Sequence, residues 1–95
     1  MGDDQTSDQA IGERLRLTRE VLRLTQIEFS RRANINAGAY NQYEQGKKRP
    51  SVATAIALCE TYHLDLDWIF RGHLGALPYD MAEAIKALRK SGRPH

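Results

Sequence analysis

Cysteine is scarce in this 95-residue chain: Cys59 stands alone, which excludes an internal disulfide and a cysteine-rich zinc site. Cys59 and His63 are four residues apart on a predicted helix, but the sequence offers no third ligand nearby, so we expect no metal. The sequence also lacks a glycine-rich phosphate loop and a nucleophile with a plausible base. We therefore expect no enzymatic activity, no cofactor and no small-molecule ligand.

Long apolar runs are absent as well. Hydrophobic residues make up 41% of the chain, yet no segment approaches the roughly 20 apolar residues of a membrane-spanning helix, so we expect a soluble protein without a membrane partner. The beginning, MGDDQTSD, is acidic and polar, the opposite of a signal or transit peptide. These features predict a cytoplasmic location.

The apolar pattern is helical throughout, and no stretch alternates with the two-residue period of a strand. It predicts a single all-α domain with six helices. On the first helix we expect an inner stripe at Ile11, Leu15, Thr18, Val21 and Leu22. Glu13, Arg14, Arg16 and Arg23 are expected to face water or phosphate. The sixth helix is expected to open at Asp80, with Glu83 at the capping-box position.

The segment from Leu24 to Ser51 is the most informative part of the chain. Thr25 is suited to cap a helix, and Glu28 three residues later completes a capping box. This first short helix is followed by Asn34, at a point where the chain must turn sharply. Asparagine tolerates the left-handed conformation of such a turn better than any residue except glycine.

A second short helix follows the turn. Asn36 is suited to cap it, and it should run to Gln45, where Gly46 and then Pro50 end it. Two helices this short bury little on their own, so they must cross and rest on other helices. Such a pair is how a helix-turn-helix reader of duplex DNA is built.

The net charge is only +2, but the charges are unevenly distributed. Residues 1–11 carry three Asp and no base, residues 12–49 carry nine Lys or Arg against four Glu, and residues 50–95 carry five of each sign. The positive excess therefore lies on the helix-turn-helix and the helix before it, which is where a surface that binds DNA phosphates needs positive charge. A merely solvated charged surface is the alternative interpretation.

At fixed spacing this segment resembles the Cro/phage-repressor (Xre-like) helix-turn-helix family, and the resemblance extends over about Ile11 to Gly72. Two residues depart mildly from the family pattern, Ser30 for the usual alanine and Asn34 for the usual glycine. The resemblance implies a five-helix, repressor-like DNA-binding domain, here with an additional C-terminal helix. The positions that carry the pattern, these two departures included, are Gln26, Phe29, Ser30, Asn34, Ile35, Asn36, Tyr40, Tyr43, Glu44, Gly46, Pro50 and Ser51.

The chain is accordingly divided into a flexible acidic tail, a helix-turn-helix domain, and a linker with a C-terminal helix and a frayed end, at residues 1–8, 9–72 and 73–95. The resemblance implies double-stranded DNA as the partner and a regulator of transcription, with repression as the expected direction. Arg19 and Glu44 match a buried ion pair of the family. The implied base contacts are Ala37, Gly38, Asn41 and Gln42, and the implied phosphate contacts are Gln26, Gln45, Lys47, Lys48 and Arg49.

Two of these positions weaken the case for direct base readout. Alanine at position 37 offers only contact with a thymine methyl, and Gly38 offers no side chain at all, so hydrogen bonds to bases rest on Asn41 and Gln42. DNA shape is then a second source of specificity. The alternative function is a protein-interaction module of the same fold, antitoxin-like or a regulatory subunit, with weak or no specific DNA binding.

A homodimer is also expected, because one helix-turn-helix contacts few bases. The sequence offers an apolar stripe for it beyond Gly72, at Leu74, Leu77, Met81, Ile85 and Leu88. That stripe must be buried either on its own domain or on a second copy.

Overall fold

The computed structural model describes residues 4–91 and is all-helical over that range, which confirms the predicted fold class. Residues 1–3 of the predicted acidic tail and residues 92–95 of the predicted frayed end lie outside the described residues. The elements are α1 (Asp8–Val21), α2 (Gln26–Arg32), α3 (Ala37–Glu44), α4 (Val52–Tyr62), α5 (Leu66–Arg71), a 3₁₀ turn (Leu74–Ala76) and α6 (Tyr79–Ser91).

Five of the six helices begin at a side chain that accepts a hydrogen bond from a backbone N–H of the first turn. Each such cap satisfies one of the donors that a helix start leaves without a partner, and is typically worth about 1 kcal/mol. The capping residues are Ser7, Thr25, Asn36, Ser51 and Asp65.

The sixth helix begins differently from the prediction. It starts at Tyr79 directly after Pro78, whose carbonyl oxygen accepts from the Ala82 N–H at 3.0 Å. Asp80 therefore lies inside the first turn, and the Glu83 carboxylate accepts from Lys86 Nζ at 3.0 Å. Proline is tolerated at a helix start, because the N–H group that it lacks would have no partner within the helix there.

Helix α1 is the central element, and it packs against α3, α5 and α6. Ile11, Leu15 and Thr18 on its predicted inner stripe are fully buried. Two polar groups of the core are satisfied across long sequence separations, since Trp68 Nε1 donates to Thr18 Oγ1 at 3.0 Å and Tyr62 Oη donates to the Phe29 carbonyl at 2.7 Å. These hydrogen bonds offset the cost of burying the polar groups.

The prediction that Arg14 faces outward is wrong. Its side chain is buried, with 2% of the residue exposed, and donates to the carbonyl oxygens of Ile69 and Gln5. No carboxylate pairs with it among residues 4–91. Burial, with the nearby charge of Arg89, holds the pKa of Arg14 below its ordinary value. The backbone carbonyl oxygens accept the hydrogen bonds of the buried guanidinium group, which a carboxylate would otherwise accept.

The apolar stripe beyond Gly72 is buried within the monomer. Ile85 is fully buried, Leu77 and Ala82 are nearly so, and α6 packs against α1. Met81 and Leu88 pack on the edge of the same core. Helix α6 thus covers an open flank of its own domain, while Leu74, Met81 and Leu88 of the stripe stay partly exposed.

Candidate nucleic-acid interface

The turn between α2 and α3 has the conformation that the sequence predicted. Thr25 and Glu28 form the capping box of α2, each side chain bonding the other residue's N–H. Asn34 is left-handed, with a φ of 59°. Gly46 after α3 is also left-handed, at 76°, and the N–H groups of Gly46 and Lys47 close the helix end on the Tyr43 and Gln42 carbonyls.

Helix α3 buries one side and exposes the other. Tyr40 and Tyr43 are buried, Phe29 packs on Tyr40 with ring centroids 5.2 Å apart, and α1 crosses behind α3. The implied base-contacting residues divide by exposure. Ala37, Gly38 and Gln42 are exposed, whereas Asn41 is half-buried. The buried side of this eight-residue helix is fixed against the core, so its exposed side can enter a major groove.

Arg19 and Glu44 join α1 to the end of α3. Arg19 Nε lies 2.6 Å from Glu44 Oε2, and a second guanidinium nitrogen donates to Oε1 at 3.0 Å. The side chains are 15% and 5% exposed, so the pair is mostly removed from water. The hydrogen bond to Glu44 raises the pKa of Arg19, and bidentate pairs of this kind fix geometry as well as energy.

The Glu44 carboxylate also begins a directional chain of side-chain amides. Gln26 Nε2 donates to Glu44 Oε1 at 2.9 Å, Asn41 Nδ2 donates to Gln26 Oε1 at 2.8 Å, and Gln45 Nε2 donates to Asn41 Oδ1 at 2.9 Å. A carboxylate only accepts, so each amide in turn is oriented with its nitrogen toward the preceding residue. The chain thereby fixes how Asn41 and Gln45 present their remaining groups to the exterior.

Tyr40 completes the environment of Glu44. Its hydroxyl donates to Glu44 Oε2, so the carboxylate receives hydrogen bonds from Arg19, Gln26 and Tyr40. Burial, and secondly the adjacent Glu44 charge, raises the pKa of Tyr40. Removal of this carboxylate would lower the stability of the fold, because it would leave several buried hydrogen-bond donors without an acceptor.

The three basic residues after α3 are not equivalent. Lys47 and Lys48 are exposed, and neither side chain has an ion-pair partner within residues 4–91. Arg49 instead donates from Nε to Asp8 Oδ1 at 2.7 Å and from Nη2 to the Thr6 carbonyl at 2.9 Å. The N-terminal segment therefore lies beside the basic run and neutralises part of it.

The structure thus groups the predicted site residues in three sets. Arg19, Gln26, Asn41, Glu44 and Gln45 form one bonded network; Ala37, Gly38 and Gln42 form an exposed surface; and the third set is the basic run, in which Lys47 and Lys48 have no ion-pair partner within residues 4–91 and Arg49 is paired with Asp8. Asp8 was not predicted as part of this region. The sequence carries no signal for this pairing beyond the opposite charges of the two residues, since 41 residues separate Asp8 from Arg49.

Within residues 4–91, no group of three or more His, Cys, Asp or Glu side chains could hold a metal ion. Nor is any helix in that range long and apolar enough to cross a bilayer.

A family model described as helix-turn-helix matches residues 15–69, which include all of α2, α3 and α4. The chain belongs to the helix-turn-helix family of the Cro/phage-repressor, Xre-like type. No curated protein and no solved structure shows significant similarity to it. This is a family of DNA-binding regulators, and the matched range contains the turn, the exposed side of α3 and the basic run.

Proposed function

We propose that the protein is a sequence-selective regulator of transcription that binds double-stranded DNA in the cytoplasm and represses by occupying its site. The observation that carries the proposal is the arrangement at α3. Its exposed face is fixed from behind by the Arg19–Glu44 pair and is followed by Lys47 and Lys48, which have no ion-pair partner within residues 4–91. Helix face and flanking charge are the two elements that major-groove recognition needs.

In this proposal the residues divide their tasks. Gln42, exposed and without a side-chain partner within residues 4–91, forms hydrogen bonds to a base edge. Asn41 contributes the hydrogen-bonding capacity of its amide that the bonds to Gln26 and Gln45 leave free. Gln26 and Gln45, at the two ends of the chain of amides, contact the phosphates of the DNA backbone. Lys47, Lys48 and, once released from Asp8, Arg49 contact phosphates, which position the helix but carry no sequence information directly.

The size of the domain supports repression by occupancy of the site. The domain measures about 30 Å across, so one copy covers about nine base pairs at 3.4 Å per step. Two copies on half-sites about 34 Å apart, one helical turn, would cover enough duplex to exclude another protein. We propose such a twofold pair on DNA. Because α6 buries its stripe within the monomer, the pair forms on DNA through a surface other than that stripe.

One observation favours the alternative function. Ala37 and Gly38 at the start of α3 donate no hydrogen bond to a base, so this end of the helix would suit a protein surface equally well. In that case the exposed lysines would be solvated charges, and binding to duplex DNA would be weak and indifferent to sequence.

A mobility-shift assay decides between the two functions. Wild type, Gln42→Ala and Lys47→Ala are tested on duplexes enriched from a random pool, at two salt concentrations. Gln42→Ala should reduce the preference for enriched over random duplex by about 1–3 kcal/mol. Lys47→Ala should weaken binding to every duplex and reduce the salt slope by about one.

The matched control is Lys90→Ala on α6, which removes the same charge from an exposed position far along the chain from α3. It should leave sequence preference unchanged and lower affinity less than Lys47→Ala. Equal behaviour of wild type, Gln42→Ala and Lys47→Ala on all duplexes would support the protein-interaction module instead.

A further inference from the structure

A depression lies between the beginning of α4 and the end of α5. It is lined by Thr6, residues 49–52, Phe70 and Arg71, and its volume is about 620 Å³. We refer to it as the α4–α5 groove. A depression of this volume is large enough to receive a bulky side chain of another molecule. The proposed function uses only Arg49 of its lining residues.

The α4–α5 groove is mostly apolar where it meets solvent. Val52, the first residue of α4, is 60% exposed, and Phe70 near the end of α5 is half-buried. Neither side chain is covered by another helix of the described chain, although Phe70 packs against the edge of the core. An apolar surface left open in this way commonly marks a docking site.

The rim of the α4–α5 groove is basic. Arg49 and Arg71 are the charged residues of its lining within residues 4–91, and their side chains are 49% and 64% exposed. Each has a carboxylate neighbour outside the lining, Asp8 at 2.7 Å and Asp67 at 3.5 Å. Exposed pairs of this kind are weak, so a second carboxylate can replace the first at either arginine.

These features favour an acidic, apolar peptide as the occupant. Two copies of the chain meeting groove to groove would bring Arg49 and Arg71 against the same two cations, and no lining residue within residues 4–91 supplies a carboxylate. Duplex DNA would offer phosphates to the arginines but no bulky apolar group to the groove. A peptide with an apolar side chain between carboxylates complements both the apolar surface and the basic rim.

We propose that the α4–α5 groove binds an acidic segment of a partner protein. A bulky apolar side chain of that segment packs on Val52 and Phe70, and flanking carboxylates pair with Arg49 and Arg71. Because Arg49 is also a proposed phosphate contact, the bound segment and DNA compete for it, and each weakens the other by the same factor. This competition rests on the proposed function, whereas the docking itself does not.

The test selects twelve-residue peptides from a randomised display library on the full-length protein, and measures the enriched peptide by fluorescence anisotropy. Enriched sequences should carry Trp, Phe or Leu between Asp or Glu residues. Alanine in place of that apolar residue should raise the Kd about tenfold or more. Asn or Gln in place of its acidic neighbours should raise the Kd about tenfold.

Two variants of the protein locate the site. Arg71→Ala should raise the Kd of the enriched peptide about tenfold, and Val52→Ala about fourfold. Lys90→Ala is the control for Arg71→Ala, since it removes an exposed cation from the last turn of α6 as the variant does from α5. Ile27→Ala is the control for Val52→Ala, because Ile27 is 54% exposed on α2. Both controls should keep the wild-type Kd.

The outcomes that would overturn the docking site are distinct. One is a library that enriches no acidic, apolar sequence, and another is a peptide Kd that neither Arg71→Ala nor Val52→Ala changes. Light scattering at tens of micromolar supplies a third: a dimer that Val52→Ala dissociates and Ile27→Ala does not would assign the groove to a second copy.

The competition has its own measurement. The enriched peptide at saturation should raise the Kd for an enriched duplex about tenfold. An unchanged duplex Kd would refute competition at Arg49. A protein that binds the peptide through Arg71 and Val52 but binds no duplex would support the docking site and refute the proposed function.

Discussion

The backbone of Gly12 passes so close to the carbonyl oxygen of Tyr43 that a Cβ atom at Gly12 would lie 2.3 Å from it. The same atom would lie 3.0 Å from the Glu44 carbonyl oxygen. Both neighbours are backbone atoms of α3, which cannot move aside as the end of a flexible side chain can. Gly12 therefore sets how closely α1 and α3 cross, and with it the position of α3 on the domain.

Gly12→Ala should destabilise the fold for this reason. We expect a net loss of about 1–2 kcal/mol, since overpacking costs about 1–3 kcal/mol and the better helix propensity of alanine returns up to about 1 kcal/mol. Urea unfolding followed by circular dichroism measures it. Gly75→Ala is the control, because a Cβ there meets nothing within 4 Å. Equal stability of the two variants would show that the helices can separate without cost.

Glu44→Ala should be more damaging than the loss of any surface ion pair. It leaves the Arg19 guanidinium and the Tyr40 hydroxyl without their shared acceptor, and removal of one member of a buried pair typically costs about 3–5 kcal/mol. Glu83→Ala breaks the exposed pair with Lys86 and should cost under about 1 kcal/mol. Chemical denaturation of the two variants side by side checks this; a Glu44→Ala loss as small as that of Glu83→Ala would refute it.

Asp8→Asn should strengthen DNA binding if the proposed function holds. The change removes one negative charge beside the basic run and weakens the hold on Arg49, so all duplexes should bind more tightly, with a salt slope steeper by about one. Fold stability should fall by less than about 1 kcal/mol, since the pair is exposed. Glu60→Gln on α4 is the control for loss of an acidic charge elsewhere. Unchanged affinity in Asp8→Asn would mean that Arg49 does not reach phosphates.

Alkaline pH should separate Tyr40→Phe from the wild type. The ordinary tyrosine pKa is 10.0, and burial raises that of Tyr40 in the folded state. The unfolded chain then loses a proton that the folded protein keeps, so this contribution to stability is complete below pH 10 and declines above it, by about 1.4 kcal/mol per pH unit. Tyr40→Phe should be about 1 kcal/mol less stable at pH 7, from the lost hydrogen bond.

Between pH 10 and 11 that difference should shrink or reverse, because phenylalanine has no proton to lose. Free energies of unfolding at pH 7, 10 and 11 provide the measurement. A constant difference across this range would show that the Tyr40 hydroxyl ionises in the folded protein as readily as in the unfolded chain.

The local structure was predictable because its causes are local. Thr25 with Glu28, Asn34 at the turn and Gly46 at the helix end act within a few residues of themselves, and each has the predicted conformation. The class of fold followed from the same segment once its spacing matched a family. Helix α6 is the exception, since Pro78 and not Asp80 marks its start.

Contacts between distant residues were not predictable in the same way. Arg14 lies three residues after Ile11 and four before Thr18, so helical spacing alone places it on the inner stripe, but its charge argued for the surface. Its acceptor, the Ile69 carbonyl, is 55 residues away and has no signature in the sequence. The approach of Gly12 to Tyr43 and the pairing of Asp8 with Arg49 likewise depend on how the helices cross.

The placement of the N-terminal segment has a practical consequence for anyone preparing this protein. Gln5 is held by Arg14, and Thr6 and Asp8 are held by Arg49, so the chain enters the domain beside the basic run that follows α3. An affinity tag or fusion partner joined at this end would therefore be only a few residues from the segment that lies beside the surface proposed for DNA. A polyhistidine tag there adds its own attraction for phosphates below about pH 6.5, where its imidazoles carry charge, and distorts measured affinities. Binding assays are best made with the tag cleaved off.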